Sequence, residues 1–132
     1  METANKVGLG TTARDMARFG LLVMAEGIWN GRSLLADKQQ MRELLRPSPV
    51  NPNYAHLWWL NRSPRSRAGG GAPELPVPTA PGDLFYANGA LERKIYIVPS
   101  QGMVVVRLGD KPSDSFDREL WRLLMASVKG SS

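Results

Sequence analysis

The chain has 132 residues, the size of one domain with one modest core, and its 42% hydrophobic and 22% charged residues exclude wholesale disorder. The absence of cysteine excludes disulfides, thiol catalysis and thiolate metal sites, and a single histidine supports no metal cluster, so neither metal nor cofactor is expected. The formal charge of +5 comes from dispersed Lys and Arg, many beside Asp15, Glu43, Asp110 and Glu119; this reads as a solvated basic surface, and no nucleic acid is expected as partner.

No window reaches the roughly 18 consecutive apolar residues of a membrane span, and Met1–Lys6 lacks the apolar core of a signal peptide. A soluble chain is expected, and its compartment is unknown.

Thr11 and Thr12 precede a helix predicted over Ala13–Glu26, with Thr12 and Asp15 spaced as a capping box. Met16, Phe19, Gly20, Val23 and Gly27 share its inward face, while Leu21, Leu22 and Met24 widen it, so cover on more than one side is expected. Ile28-Trp29-Asn30-Gly31 reads as a turn that folds Trp29 back onto the helix. A second helix is predicted over Asp37–Leu45, with Met41, Leu44 and Leu45 inward and Pro47 stopping it.

Tyr54–Leu60 reads as a strand on which Trp58 and Trp59 point to opposite faces. His56, on that strand, reads as a structural histidine, and Trp29, Trp58 and Trp59 as core rather than ligand platform. Residues 61–83 are dominated by Pro, Gly, Ser, Arg and Ala, and read as a flexible loop with too little apolar bulk to pack.

Three strands are predicted next, Leu84–Ala87, Ile95–Val98 and Met103–Leu108, each bounded by turn residues. Within them Tyr86 and Tyr96 read as sheet-packing residues. Asn88-Gly89 is either a tight turn or a strand whose backbone meets a ligand closely. A final helix is predicted from Asp114 or Ser115 to Val128, with Phe116, Leu120, Leu123, Leu124 and Val128 as its stripe. Helices flanking a short run of strands imply an α+β fold, a small antiparallel sheet packed by helices.

Gly8–Leu22 with Gly27–Leu35, then Tyr54–Leu60, Phe85–Ala90, Ile95–Pro99 and Met103–Gly109, together resemble the serine β-lactamase-like superfamily. That superfamily includes class C β-lactamases, D-Ala-D-Ala peptidases, esterases and 6-aminohexanoate-dimer hydrolases. The resemblance implies that residues 1–132 are one C-terminal portion of such a fold. Ala87-Asn88-Gly89 then stands where the family carries Lys-Thr-Gly, and Ala90 supplies a backbone N–H to the oxyanion hole. The family's Ser-x-x-Lys is absent: no Ser here is followed three residues later by Lys, and Thr3-Ala4-Asn5-Lys6 has the spacing with the wrong nucleophile. Tyr86-Ala87-Asn88 fits Tyr-x-Asn but belongs to the strand.

No catalytic residue is therefore assigned to this chain, which is expected to be inactive alone. The complete enzyme would take a small ester or amide, and uncharged Ala87 disfavours substrates held by a carboxylate. Leu91-Glu92-Arg93 replaces the Gly-Gly-Gln of many relatives, implying an altered turn beside the site. The expected partner is a missing N-terminal region. The alternative is a non-catalytic binding or regulatory module, self-associating as a homodimer.

Overall fold

The computed structural model describes residues 10–34, 37–62 and 75–129. Helix α1 (Ala13–Met24) starts at Thr12, whose hydroxyl accepts the Asp15 N–H at 3.2 Å. The reciprocal half of a capping box is missing. Asp15 instead accepts the Thr12 hydroxyl at 2.8 Å and the Arg18 guanidinium at 2.6 Å. The helix ends two residues before the expected Glu26, because Glu26 and Gly27 take left-handed φ of 52° and 83°.

The chain then forms a hairpin, β1 (Ile28–Trp29) with β2 (Arg32–Ser33), in which Asn30 and Gly31 both have positive φ, as a two-residue type I′ turn requires. Trp29 on this hairpin is exposed and joins neither core cluster among the described residues, against the expectation that it folds back onto the helix. Helix α2 (Lys38–Glu43) is capped by Asp37, which accepts the Gln39 N–H at 2.8 Å, and it buries Met41 as expected.

Tyr54–Leu60 is not one strand. Leu57 has φ 68°, the Ala55 N–H bonds the Trp58 carbonyl at 2.8 Å, and only β3 (Trp59–Leu60) joins the sheet. β4 (Phe85–Asn88), β5 (Lys94–Val98) and β6 (Met103–Arg107) follow, and the order β3-β4-β5-β6 is antiparallel throughout.

Strand alternation divides the core in two. Phe85, Ile95 and Ile97, with Val104 and Val106, face α1 and α2, where they meet Val23, Met41 and Trp58. Leu84, Tyr96 and Val98, with Met103 and Val105, face α3 (Phe116–Lys129) and its Trp121. Three layers result, with the sheet in the middle. Glycine at position 20 is what lets α1 lie this close, since a Cβ there would stand 2.6 Å from Val104 Cγ1. Phe19 and Leu21 stay exposed, so α1 is covered on one side only within the described residues.

Two expectations about packing are corrected. The buried face of α3 centres on Trp121 with Leu120, Leu124 and Met125, while Leu123 and Val128 are exposed. The phase is set by the indole, the largest apolar group that the helix can bury. Residues 75–83 do pack: Val77 and Ala80 are buried, held by the fully buried Asn61. Its amide donates to the Val77 and Pro81 carbonyls at 3.0 and 3.1 Å and accepts the Val77 N–H at 2.8 Å. One side chain thus supplies backbone partners that a proline-rich segment cannot find in a ladder. Residues 63–74 of the expected loop lie outside the described residues.

Candidate functional site

The four residues singled out from the sequence lie at the end of β4 and just beyond it. Ala87 pairs with Ile95 and Asn88 with Lys94, and the Gly89 N–H continues the ladder to the Arg93 carbonyl at 2.9 Å. Gly89 is extended, with φ −110° and ψ −174°, so Asn88-Gly89 is strand and not turn. The chain reverses at Leu91 and Glu92, both with φ 58°. A Cβ on Gly89 would make only ordinary contact, 3.6 Å from the Arg93 carbonyl oxygen, so nothing among the described residues demands glycine there.

All four residues line one open cleft of about 450 Å³. Tyr54, Leu57 and Trp59 line it too, together with Met16, Arg93 and Ile95. Tyr54 and Trp59 meet edge-on at 4.8 Å, giving the cleft an aromatic border. Trp59 therefore belongs to the cleft and not to the core expected for it, whereas Trp58 is buried against Phe85 as expected. Among the described residues no group takes up the Ala90 N–H, and Arg93 is the one charged side chain lining the cleft. Arg93 Nε donates to the Gly109 carbonyl at 3.2 Å, and Arg93 also borders a neighbouring concavity of about 670 Å³ between α1 and Leu108.

Other candidates fall elsewhere. His56 is exposed on the bend before β3, outside the cleft and not on a strand. Tyr86 packs with the α3 cluster, on the face opposite Ala87, so Tyr86-Ala87-Asn88 cannot present its phenol and Ala87 to the same side.

The α3 face carries a buried polar network that the sequence reading missed. Lys94 is 4% exposed, and its ammonium donates to Asp117 at 2.6 Å and lies 2.9 Å from Glu92 Oε2. The fully buried Tyr96 donates its phenol to the other Asp117 oxygen at 2.6 Å. Burial alone would push the Lys94 ammonium down, but the bonds to Asp117 and Glu92 outweigh it and hold it above the ordinary lysine range. The Tyr96 phenol is pushed up, by burial first and then by its bond to Asp117.

Lys94→Met should cost about 3 kcal/mol, near the lower end for a broken buried pair because the Asp117 side chain keeps 20% exposure. Both raised groups contribute stability that is intact below their unfolded values, 10.0 for tyrosine and 10.5 for lysine, and that fades as pH rises towards the folded ones. The urea midpoint should therefore be flat from about pH 7 to 9 and fall above about pH 10, with a smaller fall in Lys94→Met. A midpoint that falls equally in both proteins would contradict the lysine's share.

Neither a family model nor a curated protein matches the sequence. Among solved structures the chain is similar to a Bacillus anthracis protein assigned by name as a 6-aminohexanoate-dimer hydrolase. The two share a TM-score of 0.62 and 24% identity over 93% of this chain and 30% of that one. The fold is a partial β-lactamase-like one. The α+β architecture expected from the sequence is thereby established, and the chain spans about 30% of the length of the protein it matches.

Proposed function

We propose that the chain forms the oxyanion-side wall of a β-lactamase-like serine hydrolase that cleaves small uncharged esters or amides through an acyl-serine. The observation that carries this reading is the cleft itself: Ala87, Asn88, Gly89 and Ala90 line it together, and the Ala90 N–H has no partner among the described residues. An N–H that no described group uses, beside a glycine that no described neighbour requires, suits the close approach of a reacting carbonyl. The aromatic and aliphatic border, Tyr54, Trp59, Leu57 and Met16, suits an apolar acyl or alkoxy group.

The nucleophile comes from a segment outside this chain, which has no Ser-x-x-Lys. The free outer edge of β6 among the described strands is consistent with a sheet completed by further chain. Alone, the 132-residue chain should hydrolyse neither p-nitrophenyl acetate nor nitrocefin above a denatured control, and should take no label from an alkyl fluorophosphonate. Turnover together with a labelled serine in this chain would overturn the reading. The same free edge would serve a homodimer, and a tight dimer in sedimentation would favour the regulatory module instead.

A further inference from the structure

The reversal at the cleft's rim is built from residues ill suited to it. Two consecutive left-handed residues define a type I′ turn, for which Asn-Gly is preferred, yet here they are Leu91 and Glu92. A left-handed φ is costly for residues with a Cβ, so such a turn persists only where its surroundings over-determine it. Those surroundings can be named. Arg107 Nη1 donates to the Leu91 carbonyl at 3.1 Å and the Glu92 carbonyl at 3.0 Å, and its Nη2 donates to the Asp110 carbonyl. The guanidinium also lies over the Phe116 ring, 5.2 Å from its centroid.

The sheet register makes the arrangement more telling. Arg107 is the direct cross-strand partner of Lys94, a like-charge pairing that is unfavourable unless each cation has acceptors of its own. Both find them at the same turn, Lys94 on the Glu92 carboxylate and Arg107 on the Leu91 and Glu92 carbonyls. The turn follows Ala90 directly, and the Arg93 N–H closes on the Ala90 carbonyl at 3.3 Å.

We infer that Arg107 is a positioning residue of the cleft: from the far side of the sheet it holds Leu91–Glu92 left-handed and so fixes the backbone of Ala90 at the cleft wall. The role in catalysis rests on the oxyanion reading of Ala90, but the clamp itself can be measured without activity. The probes are the Gly89, Glu92 and Arg93 amides, whose hydrogen bonds close the turn, and the Ala90 amide resonance.

In the 132-residue chain, Arg107→Met should speed exchange of those three amides about tenfold or more and shift the Ala90 resonance, with Ile97 exchange unchanged. Arg107→Lys, which keeps the charge and loses the fork, should lie between. Adding Leu91→Gly to Arg107→Met, which leaves the Glu92 carboxylate on Lys94, should slow exchange back towards native, because glycine needs no clamp. Unchanged exchange in Arg107→Met, or no recovery with the glycine, would overturn the inference. If Arg107→Met fails to fold, the same comparison in Arg107→Lys decides. Ester hydrolysis does not enter this test, so its outcome is separate from that of the enzyme reading.

Discussion

Trp121→Ala is expected to lower the unfolding free energy by about 3–5 kcal/mol, the range for removing a large aromatic from a packed core. The indole is fully buried at the centre of the α3 face and meets Tyr96 edge-on at 5.7 Å. Alanine there would open a cavity between helix and sheet and loosen the ring that orders the Tyr96 phenol on Asp117. The Trp121 Nε1 is buried and has no hydrogen-bond partner among the described residues. Trp121→Phe deletes that unsatisfied donor, worth about 1–3 kcal/mol, while keeping most of the ring, so its net cost should be far smaller. Urea titrations with an unchanged slope would read both values. Equal losses for the two variants would show that the cavity is not the dominant effect.

The second large effect concerns chemistry. In the complete enzyme proposed above, Ala90→Pro should lower kcat/KM by about 10²- to 10³-fold, the usual consequence of losing one oxyanion donor. The substitution is chosen because it removes an N–H that no described group uses. Gly89 already holds the extended conformation that a residue before proline must adopt, with φ −110° and ψ −174°. Stability should therefore change by less than about 1 kcal/mol, separating a lost donor from a damaged fold. Full activity in a folded Ala90→Pro enzyme would remove Ala90 from the oxyanion hole.

How much of this could be read from the residues depends on how local the determining contacts are. β4 to β6 were legible because β-branched and aromatic runs stand between Gly, Pro and Asn, and alternation alone decided their faces. That Ala87, Asn88, Gly89 and Ala90 stand together at the end of a strand was legible from the pattern, although composition left both turn and strand open at Asn88-Gly89; the aromatic border from Tyr54 and Trp59 was not, because it reaches the cleft from a different part of the chain. Tyr54–Leu60 misled because its aromatic run has the composition of a strand, while the left-handed φ of Leu57 leaves no mark in composition. The phase of α3 was ambiguous because Phe116, Leu120, Trp121, Leu123, Leu124, Met125 and Val128 cover a wide arc, and the sheet chose among them.

Asn61 was beyond local reading, since its partners lie 16 and 20 residues away. The Lys94 and Arg107 networks did leave a signal. A lysine opening an otherwise apolar strand and an arginine closing its neighbour are conspicuous, but only the register shows that they stand opposite each other and serve one turn.

The most direct measurement joins this chain to the segment encoded in frame upstream of it and follows hydrolysis of p-nitrophenyl acetate. The predicted result is an upstream Ser-x-x-Lys, turnover only by the joined protein, and loss of turnover when that serine becomes alanine. Turnover that survives the serine substitution, or a joined protein with no such serine and no hydrolysis, would contradict the assignment of this cleft as the oxyanion side of a serine hydrolase.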